Sequence, residues 1–244
     1  MLYRLYPRLV AAYSRVVTWY TCGRHWQAPI DPLAILYIDP THIDLKTTAR
    51  LKSEFDHPDP VSEVVAGSWD TLVEPLAEYD LYASFVEHFR DGTPWKQTEF
   101  YERSVAELSN GMTKWGCETP SDFEDRLASL DRLHETIIAE GYLTQRELAR
   151  EDVADPIDRT IHQLWPPELH EVVIDVGRDG ELILHDGRHR FTIARILELD
   201  SIPVRVKARH EEWQQVRDAV VTQTASVETL RQFGNHPDIR QSIS

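Results

Sequence analysis

The residues best suited to chemistry lie together at 186–190, in the order Asp186, Gly187, Arg188, His189, Arg190. An apolar stretch at 182–185 with strand character runs into this box, and a helical pattern carrying Phe191, Ile193, Ala194, Ile196 and Leu197 leaves it. A helix that begins directly after a strand presents unpaired backbone N–H groups at its N-terminus, where the helix dipole favours an anion. Gly187 allows close approach to the backbone, and Arg188 and Arg190 carry guanidinium forks matched to phosphate oxygens. His189 can donate a hydrogen bond or move a proton near neutral pH. The box reads as a phosphate cradle with His189 as a catalytic candidate. The competing reading is an ordinary turn, with Asp186 as a helix cap and the arginines solvated or ion-paired.

Phosphoryl transfer also needs a carboxylate base near the terminal phosphate. Asp70 is the candidate, because it closes Gly67-Ser68-Trp69-Asp70 directly after a short strand at 64–66. The alternative there is a turn with a packing tryptophan. Asp179 and Glu181 flank another turn, where they would hold Mg²⁺ beside a triphosphate or remain solvated. No metal site is expected from protein side chains alone. His185 and His189 are four apart but straddle a strand–helix junction, so they are not a helical ligand pair, and His88 and His134 sit among apolar helical residues. Cys22 and Cys117 form no CxxC pair.

The elements that must position these groups follow from periodicity. Residues 172–176 and 182–185 form a hairpin around Gly177-Arg178-Asp179-Gly180, then a helix, then a strand at 202–206 with Pro203 near its start. A helix at about 211–221 carries Trp213, Val216 and Val220. The middle of the chain is helical. Leu81, Phe85 and Phe89 repeat at four residues, and Tyr101, Val105 and Leu108 share a face after Thr98. Thr119, Pro120 and Asp122 make a capping-box start for a helix that buries Phe123, Leu127, Leu130 and Ile137 and stops at Gly141. Residues 35–45 read as a strand and a turn at Asp39-Pro40, and the acidic, proline-bearing segment 151–170 reads as a connecting loop.

The segment 172–206 resembles the core of the ParB/sulfiredoxin-like superfamily, in which a strand leads into a Gly-containing box ending in Arg, then a helix, then an Ile-Pro-Val strand. Ile202, Pro203 and Val204 match that last strand, and Tyr37-Ile38-Asp39-Pro40 is similar to the superfamily's upstream turn. The whole chain also resembles a group of ParB-like-domain proteins, through Gly67–Asp70, 114–117 and 141–148. The resemblance implies an α+β fold: a small mixed β-sheet of ParB/sulfiredoxin-like type, with a large helical insertion at about 78–170 in a domain spanning 31–221, and a C-terminal tail at 222–244. It implies nucleotide binding through Asp186, Gly187, Arg188, His189 and Arg190. CTP is the ligand of the partition proteins, and ATP that of sulfiredoxins and free-serine kinases, with Mg²⁺. Sulfiredoxins place a cysteine where this chain has Arg188, so sulfinic-acid repair is not implied. No basic recognition helix follows residue 206, so DNA is not an expected partner. The expected function is ATP- or CTP-dependent phosphotransfer or hydrolysis on a small-molecule or protein acceptor. The alternative is a non-catalytic nucleotide-gated interaction module, or a docked scaffold.

The first 30 residues stand apart. They hold Arg4, Arg8, Arg15 and Arg24 and no acid, whereas the rest of the chain carries −19. Within 2–20, Leu2, Leu5, Leu9, Tyr13, Val16 and Tyr20 keep helical spacing, so an amphipathic helix is expected. Packing of this face on the chain's own core is the leading expectation, and contact with a membrane surface or a second copy is the alternative. No apolar run approaches the ~18 residues that span a bilayer, and a cytoplasmic, reducing setting is expected.

With 41 acids and 26 bases, only five of them Lys (46, 52, 96, 114 and 207), the composition fits a surface kept soluble in concentrated salt or a genome favouring arginine. The salt-adapted reading predicts that the melting temperature rises as KCl is added, because unscreened carboxylates repel one another. A melting temperature that is flat from dilute to molar KCl would leave base composition as the explanation.

Overall fold

The computed structural model describes residues 5–48, 60–151 and 165–243. In chain order the principal elements are α1 (Tyr6–Thr21), β1 (Leu36–Ile38), β2 (Leu45–Thr47), β3 (Glu63–Val65), β4 (Val73–Pro75), α2 (Asp80–Phe85), α3 (Glu99–Ser109), α4 (Pro120–Glu140), α5 (Gln145–Glu151), β5 (Val172–Val176), β6 (Leu182–Asp186), α6 (Arg188–Ile196), β7 (Ile202–His210), α7 (Glu211–Val221), α8 (Val227–Phe233) and α9 (Pro237–Ser242). The strands form one mixed sheet in the order β1-β7-β5-β6-β2-β4, with β3 pairing parallel to β7. Fold class is therefore mixed helix and sheet.

The local signals act where the sequence places them. Thr98 and Thr119 cap α3 and α4 through their side chains, and Thr119 and Asp122 complete the capping box. The helix expected over 80–90 changes character after Phe85 into a π-turn at Val86–Arg90. The loop expected at 151–170 falls mostly outside the described residues, apart from the 3₁₀ turn Pro167–His170. Strands β2 and β4 were not legible in the sequence, because Leu-Lys-Thr and Val-Glu-Pro lack the β-branched and aromatic run that marks β1 and β3.

The sheet has two different faces. Val172, Ile174, Val176, Leu184, Val204 and Val206 join Phe191, Ala194, Trp213 and Ile239 in the principal core, under α6, α7 and α9. Helices α2 to α4 form a second core around Phe85, Phe123 and Leu130, and Ile193 of α6 reaches into it. The opposite sheet face mixes apolar groups, Ile183 against Trp69 among them, with polar ones, and is largely buried. Asp175, Arg205 and Lys207 are all covered, and Lys207 Nζ reaches Glu63 Oε1 at 2.9 Å and the Val61 carbonyl at 2.7 Å.

Two expectations need correction. Of the segment 222–244, read as a tail, the described residues 222–243 fold back into the body, where Asp238 and Ile239 are wholly buried. The reason is electrostatic. Asp238 takes a bidentate contact from Arg209 (2.9 and 2.7 Å), an ion pair from Arg217 at 3.2 Å and a hydrogen bond from Trp213 Nε1 at 2.8 Å. Burial works to raise the Asp238 carboxyl, but the two guanidiniums override it and hold it well below the usual carboxylate range.

The second correction concerns α1. Its apolar stripe of Leu5, Leu9, Tyr13, Val16 and Tyr20 faces outward, and its buried residues are Ser14 and Thr18. Thr18 Oγ1 accepts the Ser62 N–H at 3.2 Å, and Cys22 Sγ lies 3.5 Å from the Ser62 carbonyl. The segment that follows is held by Asp218, which accepts from the backbone N–H groups of Gln27 and Ala28. These polar contacts turn the hydroxyl side of the helix inward. Leu2, also expected on the stripe, lies outside the described residues.

Removing the Asp238 charge leaves two buried guanidiniums without their counter-ion, so Asp238→Asn should cost on the order of 3 kcal/mol in urea unfolding at neutral pH. The wild-type advantage should shrink as pH falls below the ordinary carboxylate value of about 4, because the unfolded chain then takes up a proton that the folded carboxyl does not. A constant difference between the two proteins down to acid pH would contradict this assignment.

Candidate functional site

The box stands at the strand-to-helix junction its sequence implies. Strand β6 ends at Asp186, Gly187 is the N-cap of α6, and Arg188 opens the helix. Gly187 adopts φ 79°, in the left-handed region, and a Cβ there would lie 2.9 Å from Val172 Cα. Its glycine is therefore required by backbone conformation and by packing on β5, rather than by the close approach of a ligand. No side chain caps the first turn of α6, and that turn holds no acid. Asp186 accepts from the Gly187 N–H at 2.9 Å, so it turns back on the loop.

The box residues divide by burial. Asp186 and Arg188 are exposed, whereas His189 and Arg190 are buried. Arg188 Nη1 donates to Tyr79 Oη at 3.3 Å, and Lys46, ion-paired with Glu74 at 2.5 Å, has its Nζ 4.6 Å from the Tyr79 ring centre. Arg190, expected to reach an anion, instead donates to Tyr142 Oη at 3.2 Å and to the Leu143 carbonyl at 2.8 Å, with its guanidinium over the Tyr142 ring. It ties α6 to the helical part of the chain.

His189 is enclosed by aromatics. Its ring stacks on Phe85 with centroids 6.1 Å apart and meets Trp115 edge-on at 4.5 Å. Its Nε2 is buried without a hydrogen-bond partner among the described residues. Burial first, then the charges of Arg188 and Arg126, lower its pKa to about 3. His189 is thus neutral across the physiological range and cannot cycle a proton there.

Asp70 does not join the box. It binds Arg178 through that residue's Nε (2.8 Å), Nη2 (2.6 Å) and backbone N–H (3.0 Å), at the turn between β5 and β6. Burial would raise its carboxyl, but the Arg178 hydrogen bonds outweigh this and keep it below the usual range. The turn lies at the far end of the hairpin. Gly187 packs on Val172, Asp70 packs beside Gly177, and the five residue steps from Val172 to Gly177 span about 16 Å of strand. Asp179 and Glu181 share that far end, where Glu181 accepts from the Asp179 N–H at 3.2 Å. Among the described residues no cluster of three or more His, Cys, Asp or Glu is placed to hold a metal ion.

A different pair lies on the strands that lead into the box, on the sheet face opposite α6. Asp175, fully buried on β5, accepts from or bonds three strands: Thr47 Oγ1 at 2.9 Å, His185 Nδ1 at 2.7 Å and the Ala208 N–H at 3.1 Å. The carboxylate orients the imidazole, and His185 is two residues before Gly187. A buried carboxylate on Nδ1 fixes the direction of the ring, as the orienting partner of a histidine base does. Sequence reasoning considered His185 only as a metal ligand and missed this pair. The available signal was an aspartate in the middle of the apolar strand Val172–Val176.

Comparison of the chain with protein-family models, curated proteins and solved structures finds no match.

The neutral state of His189 predicts a pH effect. Between the ordinary histidine value of about 6.5 and the folded value of about 3, only the unfolded chain takes up this proton, so stability falls as pH is lowered by about 1.4 kcal/mol per pH unit from this group. His189→Phe should reduce that slope by close to one proton in urea titrations between mildly acid and neutral pH. An unchanged slope would show that His189 is protonated in the fold.

Proposed function

We propose that the protein binds a nucleoside triphosphate, ATP or CTP, with a phosphate at the start of α6, and that the Asp175–His185 pair activates the acceptor for transfer or hydrolysis of the terminal phosphate. The observation that carries this reading is the uncapped, acid-free first turn of α6, with Arg188 exposed beside it and an oriented histidine two residues upstream. Free N–H groups, the helix dipole and a guanidinium all favour an anion at one place. The ParB/sulfiredoxin-like resemblance of the box points to the same ligand class.

The chemistry asks little of the protein beyond positioning and charge. Arg188 neutralises a phosphate oxygen, and Tyr79 Oη, which accepts from it, steadies its guanidinium. His185 takes the proton of the attacking hydroxyl or water, and Asp175 stabilises the imidazolium that results. Mg²⁺ would arrive with the nucleotide. Asp186 is the exposed carboxylate of the box, which suits an ion held mainly by phosphates and water. Asp70, His189 and Arg190 act in this scheme as framework: an ion pair, a packed neutral ring and a helix tether.

Thermal shift with ATP and CTP in Mg²⁺ tests binding, and release of labelled phosphate tests turnover. Arg188→Ala should abolish the nucleotide-induced rise in melting temperature. His185→Gln should keep that rise and lose turnover by about 10²-fold or more. Stabilisation without turnover in the wild type would favour the nucleotide-gated module. No stabilisation by either nucleotide would overturn the reading.

A further inference from the structure

The outward stripe of α1 is not the remnant of a weak helix. Leu5, Leu9, Tyr13, Val16, Trp19 and Tyr20 are each 49 to 65% exposed, on the side of the helix opposite the buried Ser14 and Thr18. Isolated exposed apolar residues are common, but six on one helical face form a continuous surface that water disfavours. The inward side is fixed by the contacts of Thr18 and Cys22 with Ser62, so the helix cannot roll its stripe under without breaking them.

Charge indicates what meets this stripe. Arg8 flanks it on one side, exposed, beside Arg15, which is also exposed and pairs with Asp31 at 3.1 Å, and Arg24 lies over the Tyr20 ring at 4.7 Å, beyond the helix end. The first 30 residues hold no acid, while the rest of the chain carries −19. A cationic border of this kind complements an anionic surface and does not complement itself. Tyr13, Trp19 and Tyr20 combine apolar rings with polar tips, the side chains that settle at the level of lipid headgroups.

We propose that α1 is an interfacial helix that lies on an anionic lipid bilayer with its aromatic stripe inserted at the headgroup boundary. Basic amphipathic helices bind such surfaces through buried apolar area and attraction to acidic lipids together. The strongly acidic body is repelled by the same surface, so the helix faces the membrane and the remainder stands away from it. No helix of the described residues is long and apolar enough to cross a bilayer, and the attachment proposed here is to one face only.

Flotation of the full chain with vesicles tests this, using phosphatidylcholine alone and phosphatidylcholine mixed with phosphatidylglycerol. The wild type should float with the anionic vesicles and much less with the neutral ones, and added salt should weaken the association. Leu9→Glu with Val16→Glu should lower the apparent affinity by at least about tenfold while leaving the melting temperature unchanged, because both side chains are solvent-exposed. Arg8→Glu should weaken binding to anionic vesicles selectively. Failure of the wild type to associate, or association that the double substitution leaves intact, would overturn the proposal. So would a dimer in light scattering without vesicles that the double substitution dissociates, since the stripe would then be covered by a second copy.

Discussion

Asp175 is the constraint around which the sheet and the site are organised. A carboxylate with no exposure, in the middle of a strand whose other residues are Val and Ile, survives only if every lone pair it presents is used. Here a hydroxyl from β2, an imidazole from β6 and a backbone N–H from β7 converge on it. One side chain thereby joins the four central strands and sets the direction of His185. The register shift between β5 and β7 at the same place lets the Ala208 N–H turn from the ladder toward that carboxylate.

The two faces of the sheet follow from this arrangement. On one side, aliphatic residues of β5, β6 and β7 pack against α6 and α7 in a conventional core. On the other, Asp175, Lys207 and Glu63 are buried as satisfied polar groups. Beyond the register shift, Arg209 emerges on the core side, where Asp238 of α9 meets it together with Arg217 and Trp213. Removing one partner from either polar group strands the others out of water, which makes both arrangements specific as well as costly to disturb. The site inherits its rigidity from them: β6 is held by Asp175, and α6 by Arg190 on Tyr142 and Leu143.

The N-terminal helix obeys a different rule from the longer helices around the cores. Helices α4 and α6 bury their apolar stripes, whereas α1 buries hydroxyls. Hydrogen bonding to Ser62 outweighs the apolar face in choosing which side turns inward, because Ser62 lies at the edge of β3 with its backbone N–H available. A nucleotide site at one end of the sheet and an interfacial helix at the chain's other extreme would place soluble chemistry beside a surface.

What the sequence determined by itself is local. The hairpin 172–186, the helix after the box, the strand beginning at Ile202, the helix at Glu211–Val221 and the capped helix α4 follow from periodicity, turn residues and caps, which act over a few neighbouring positions. The junction at Gly187 was legible for the same reason. The tertiary structure alone decided which box residues face water, because Arg190 is claimed by Tyr142, 48 positions away, and His189 by Phe85 and Trp115. It alone separated Asp70 from the box by giving it to Arg178, and brought Thr47 and His185 to Asp175. It also turned α1 inside out, since amphipathic spacing fixes that a helix has an apolar face but not where that face points. Contacts between distant parts of the chain leave no trace in spacing, and here they oriented His185, buried one expected catalytic residue and freed the surface of the first helix.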